Sequence, residues 1–136
     1  MRYLAALLLA VSVASCGSDG PSTPDRPSPV GSWTLSTIGG VPLPYILEQL
    51  GDDKLELVEA AFTTTNTGTF SAVSKQRMTI SGQATDQSFN EDGSYTMNGE
   101  TVKLTFNTDN SSVNGTLRGD SITFADSGIP VVYRRR

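Results

Sequence analysis

An all-β fold, an antiparallel up-and-down β-barrel of about eight strands, follows from three features of this 136-residue chain. From residue 30 onward apolar side chains alternate with polar ones. Threonine, whose branched side chain favours strands, fills many of the polar positions. Turn-forming pairs punctuate the alternation at short intervals. Trp33 and Leu35 alternate with Ser32 and Thr34, and Val102, Leu104 and Phe106 with Thr101, Lys103 and Thr105. Ile122 and Phe124 alternate with Ser121 and Thr123, and Val131 and Tyr133 share a face. Such period-two runs bury one row of side chains and leave the other in water.

Taken in order, the runs predict strands near 31–38, 54–64, 69–74, 76–83, 93–98, 101–107, 113–118, 121–125 and 129–134, one of the nine continuing another. Gly39-Gly40, Asp92-Gly93, Asn98-Gly99, Asn114-Gly115 and Gly119-Asp120 are among the turn signals between them. Their spacing makes consecutive strands neighbours in a meander. A meander of this many strands leaves two free edges unless it closes, so a barrel is expected. Leu55, Leu57, Phe70, Met78, Ile80, Tyr95, Met97 and Leu117 join the alternating residues above as inward-facing candidates, mostly medium or large, which predicts a partly filled interior. The segment 44–51 departs from the pattern. Pro44 suits the first turn of a helix and Gly51 its end, so a short helix or turn is expected after the first strand.

Before residue 30 the chain has a different character. Arg2 precedes a nearly all-apolar run, 4–14, which is too short to span a bilayer as a helix. Val13-Ala14-Ser15-Cys16 follows, and Cys16 is the only cysteine. This stretch resembles a bacterial lipoprotein signal with its lipobox. The resemblance implies removal of residues 1–15, acylation of Cys16 (with palmitate among the chains) and a membrane anchor through that lipid. Residues 17–29 are dominated by Gly, Pro and Ser and read as a flexible linker. The organisation is therefore 1–15 signal peptide, 16–29 acylated cysteine and linker, 30–136 barrel domain. Outer-membrane sorting in the lipoprotein family avoids aspartate after the cysteine, and Gly17 stands there. A cell-envelope location is expected, on the outer membrane facing the periplasm rather than the inner membrane.

Gly31-Ser32-Trp33 opens the first predicted strand and Arg134 closes the last. With Gly40-Val41-Pro42-Leu43-Pro44, Gly93-Ser94-Tyr95-Thr96 and Val132-Tyr133-Arg134-Arg135, they resemble small bacterial lipocalin-like domains over residues 30–136. The resemblance implies that Arg134 packs across the Trp33 indole at the closed end of the barrel, as guanidinium groups stack on indole faces. It also implies non-covalent binding of a small hydrophobic or amphipathic ligand. Tyr45, Ile46 and Leu50 would shape the mouth, with Phe70, Tyr95 and Phe106 further candidates for ligand contact.

Composition excludes much else. The formal net charge is −4 with no histidine, and loss of Arg2 makes the remainder more negative. An acidic domain is a poor partner for nucleic acid. Without histidine or a second cysteine, Ser-His-Asp and Cys-His catalytic sets are impossible and the common zinc, copper and haem ligand sets are missing. Asp52-Asp53 and Glu91-Asp92 read as solvated turn charge. The expectation is a monomeric binding protein, not an enzyme, with no cofactor and no metal. The alternative is an envelope structural or protein-interaction module with a filled core and no ligand.

Overall fold

A computed structural model describes residues 26–136. The signal-like segment 1–15, Cys16 and the linker up to residue 25 lie outside the described residues. Ten strands make one antiparallel sheet: β1 (Gly31–Ile38), β2 (Val41–Pro42), β3 (Tyr45–Leu50), β4 (Asp53–Thr64), β5 (Thr69–Ile80), β6 (Gln83–Asn98), β7 (Thr101–Phe106), β8 (Ser112–Arg118), β9 (Ser121–Asp126) and β10 (Ile129–Arg135). The neighbours run β2-β1-β10-β9-β8-β7-β6-β5-β4-β3, and an extra pairing of β1 with β4 closes the ring. Closure joins Gly31–Thr34 of β1 to Ala61–Thr64 of β4. The result is an eight-stranded up-and-down barrel of β1 and β4 to β10. β2 and β3 extend its two closing strands beyond the seam.

The core is the barrel interior. Trp33, Phe62, Phe70, Val102, Leu104, Leu117, Ile122 and Phe124 form one buried cluster, with Tyr95, Met97, Phe106, Val131 and Tyr133 packed against it. Aromatic edges meet faces through this cluster: Phe62 with Tyr133 at 4.9 Å and Phe124 with Tyr133 at 5.9 Å between centroids.

Three expectations change. The segment 44–51 forms no helix; Tyr45–Leu50 is strand β3, paired to β4 from Tyr45↔Leu57 to Leu50↔Asp53. Pairing to an existing strand outweighs the local helix-end signals of Pro44 and Gly51, and Gly51 at φ +63° makes the turn into β4 instead. The predicted strands 69–74 and 76–83 are the two that continue one another, as β5, but Asp92-Gly93 and Asn114-Gly115, expected as turns, lie inside β6 and β8, because pairing on both sides holds them in the ladder. The third change is largest. β6 begins at Gln83, ten residues before the predicted start at 93, and pairs with β5 without a register break from Thr69↔Ser94 to Ile80↔Gln83. Both faces of residues 83–92 are exposed, so no hydrophobic alternation announces the strand.

β7 pairs only with residues 93–98 of β6. The far halves of β4, β5 and β6, with β3 on the outside, therefore project beyond the barrel as a sheet of their own. Met78 and Ile80 point the way their parity predicts, but out there they are exposed rather than buried.

Candidate functional site

The barrel is sealed at the end where β1 begins. Trp33 is fully buried, its indole N–H donates to the Pro29 carbonyl at 2.8 Å, and its ring stacks on Phe62 at 6.2 Å. The Thr64 hydroxyl donates to the same Pro29 carbonyl. The chain thus packs on the barrel from Ser28 and Pro29, just ahead of the expected boundary at residue 30. The guanidinium over the indole belongs to Arg135, 4.4 Å from the ring centroid, and not to Arg134. Arg135 also donates to the Val30 carbonyl at 2.6 Å and the Ser28 carbonyl at 2.7 Å. Arg134 lies opposite Thr34, faces outward and pairs loosely with Asp120 at 3.7 Å. The reason is strand parity. Val131 and Tyr133 face the core, so Arg135 shares their face and Arg134 does not. Gly31 is needed here too: its φ is +138°, and a Cβ would stand 2.8 Å from Arg135 Nη1.

A substitution pair tests this seal. Arg135→Ala removes a stacked cation and two charge-assisted hydrogen bonds, and is expected to cost about 2 kcal/mol. Arg134→Ala breaks only an exposed ion pair, worth no more than about 0.5 kcal/mol. Equal losses in urea unfolding would contradict the assignment.

Above the seal the interior is not full. A cavity of about 400 Å³ lies over Phe62 and Phe124, walled by Phe70, Leu104, Phe106, Val131 and Tyr133. Small residues make the room: Ala60, Ala72 and Ser74 line it where β4 and β5 leave the barrel. Phe89, Glu91 and the chain at Ser111–Val113 complete the rim. Phe70 and Phe106, both expected at the site, do line the cavity and meet edge to face at 5.3 Å. The other four candidates lie elsewhere. Tyr45, Ile46 and Leu50 sit on β3; Leu50 is 82% exposed and borders a shallow groove with Leu55, Met78 and Ile80. The Tyr95 hydroxyl instead donates to the Thr65 carbonyl at 2.5 Å, near the sealed end.

Phe62 is the central residue that alternation misses. Leu55 and Leu57 are expected to face inward, and strict parity from them predicts Ala61 inward and Phe62 outward. A bulge between Leu57 and Glu59 shifts the register and turns Ala60, Phe62 and Thr64 inward instead. Phe89 and Glu91 lie in the part of β6 that no alternation announces, so Glu91 and Asp92, expected as turn charge, are strand residues.

Glu91 is the charged residue on the cavity wall. It stands across the β5–β6 pair from Ala72, which places it on the barrel-facing side. Tyr133 shares the cavity, and burial, with a smaller contribution from the Glu91 charge, pushes its phenol up to about 12. A folded-state value above the ordinary 10 means that the folded form holds the proton more tightly. Stability from this group is therefore intact below pH 10 and falls as pH rises from 10 to 12, by roughly 2–3 kcal/mol in all. Tyr133→Phe should flatten that part of the stability–pH curve; an unchanged slope would contradict the burial of the phenol.

Fold and site together define a closed antiparallel barrel with one end sealed and an aromatic cavity above the seal, the up-and-down architecture that lipocalins use. Two solved structures resemble it. An uncharacterized protein from Bacteroides eggerthii covers 79% of this chain and 98% of its own, at 15% identity and a TM-score of 0.45. A lipocalin-like protein from Bacteroides uniformis covers 79% of this chain and 97% of its own, at 14% identity and a TM-score of 0.44. No protein-family model and no curated protein matches the sequence.

Proposed function

We propose that this chain is a lipid-anchored cell-envelope protein that binds a small hydrophobic or amphipathic molecule non-covalently in its barrel. The observation that carries the reading is the cavity of about 400 Å³ walled by Phe62, Phe70, Phe106, Phe124 and Tyr133. Its volume falls within the range of small-molecule pockets, roughly 300–1,000 Å³, and its lining has their mostly apolar, aromatic character. Anchoring through Cys16 and the outer-membrane address rest on the lipobox-like sequence alone. Cys16→Ser should abolish incorporation of a labelled palmitate analogue; continued labelling would exclude that anchor.

The wall also sets the sign of the ligand. Glu91 is the one ionisable side chain of ordinary acidic or basic kind among the described residues that line the cavity, and no lysine or arginine lines it. A carboxylate or sulfonate headgroup at the rim would meet a like charge, with no lysine or arginine in the lining to offset it. The fitting ligand is neutral, or carries a cation or hydrogen-bond donor toward Glu91.

Titration with a neutral probe, N-phenyl-1-naphthylamine, and an anionic one, 1-anilinonaphthalene-8-sulfonate, tests both parts. Saturable binding of the neutral probe, weakened at least about tenfold by the cavity-filling Ala72→Phe, is expected. The anionic probe should bind weakly and gain affinity in Glu91→Gln. Absence of saturable neutral-probe binding would remove the carrier reading and leave the surface-acting module. Equal binding of both probes would remove only the charge preference.

A further inference from the structure

We infer that the free edge of β6 pairs with the same edge of a second copy of this chain, joining two projecting sheets across a twofold axis.

The inference starts from backbone hydrogen bonding. The Asn107 N–H donates to the Asp92 carbonyl at 3.0 Å, so the backbone groups of Asp92 face away from β5. In a regular antiparallel ladder, backbone groups of alternate residues point to opposite sides. The β5–β6 ladder has no bulge between Ser94 and Gln83. Asn90, Ser88, Asp86 and Ala84 therefore turn their N–H and C=O groups to the open side, where no strand of the barrel lies. Edges of this kind are normally blunted with lysine, proline or a bulge. This one has no lysine, proline or bulge; of its charged residues, Asp86 has its carboxylate held by Arg77 at 2.7 and 3.0 Å, and Glu91 stands at the barrel end of the edge.

Self-pairing satisfies all of these groups in one register. With Gln87 facing Gln87 on the axis, Ala84 pairs with Asn90 and Asp86 with Ser88, twice each by symmetry. Glu91 then faces Gln83, so no acid stands opposite an acid. Sliding by one ladder step in one direction sets Asp86 against Asp86. Sliding the other way runs Ala84 against Asp92, whose carbonyl Asn107 already occupies. The chosen register also seats apolar surface. Phe89, 40% exposed, lies opposite Thr85 of the other copy, whose β5 neighbour is Met78, itself 45% exposed. Cross-strand aromatic contacts of this kind stabilise sheets.

The monomer expected from sequence is replaced in this proposal by a dimer, and the full chain tests it. Sedimentation velocity at micromolar concentration should show a dimer. Ser88→Pro, which deletes an outward N–H and no bond within the sheet, should raise the dissociation constant at least about thirtyfold while circular dichroism stays unchanged. In a Cys16→Ser chain, Gln87→Cys should oxidise to a disulfide dimer, because facing residues of a non-hydrogen-bonded pair have Cα atoms about 4.5 Å apart. Gln83→Cys should not, since the two copies of residue 83 lie on the order of 25 Å apart. A chain that sediments as a monomer at 100 µM, or a dimer that Ser88→Pro leaves intact with no crosslink at 87, would overturn the inference.

Discussion

Gly93→Ala is expected to destabilise the barrel by about 3 kcal/mol or more, a loss that lowers Tm by at least about 12 °C for a domain of this size. Gly93 lies where β6 stops being an edge and becomes a barrel wall, between Phe70 on β5 and Phe106 on β7. A Cβ there would stand 2.0 Å from the Thr105 carbonyl oxygen and 2.7 Å from Phe70 Cε1. The first contact is with backbone, so no side-chain rotation relieves it; β6 and β7 must separate or the Phe70 ring must leave its place. Glycine in a strand marks such close approaches. Ser94→Ala, one residue on and exposed, is the matched control and should stay within about 0.5 kcal/mol. Thermal unfolding followed by circular dichroism reads both. A Gly93→Ala chain that unfolds within a few degrees of the parent would show that this wall is far looser than the packing indicates.

Trp33→Ala is expected to cost about 3–5 kcal/mol, a large share of the 5–15 kcal/mol that holds a typical domain together. The side chain is fully buried, so its whole apolar surface is lost and a cavity remains at the sealed end. Three further contacts go with it: the hydrogen bond to Pro29, the stack on Phe62 and the seat for Arg135. Losing the first leaves a buried carbonyl served by Thr64 alone. Trp33→Phe keeps part of the packing but not the N–H, and should fall between the parent and Trp33→Ala. Urea unfolding monitored in the far ultraviolet measures the series without relying on the single tryptophan. A loss below about 1 kcal/mol for Trp33→Ala would mean that Trp33 does not carry the seal.

The two ends of the molecule differed in how much could be read from the chain. At the sealed end, the Gly31-Ser32-Trp33 start and a C-terminal arginine pointed to the correct arrangement, missing by one residue. Val131 and Tyr133 state which parity faces inward, and Arg135 shares it. Of the residues expected at the ligand site, Phe70 and Phe106 line the cavity and the other four do not. Phe62 stayed hidden behind a bulge that exists only in the β4–β5 pairing, and Glu91 lay in a strand whose two exposed faces need no alternation.

Local chemistry decided the all-β class, the turns at Gly39-Gly40, Asn98-Gly99 and Gly119-Asp120, and most inward residues between 93 and 133. Turn dihedrals and the burial of one face depend on neighbours along the chain, so the sequence states them directly. Tertiary structure alone decided that 45–50 is a strand, that β4 to β6 outrun the barrel, that a bulge turns Phe62 inward, and that a cavity survives between Phe62 and Phe106. Each of these depends on which strand lies alongside and in what register. A one-residue shift in pairing exchanges the faces of a strand, and only the partner strand supplies the hydrogen bonds that select the register.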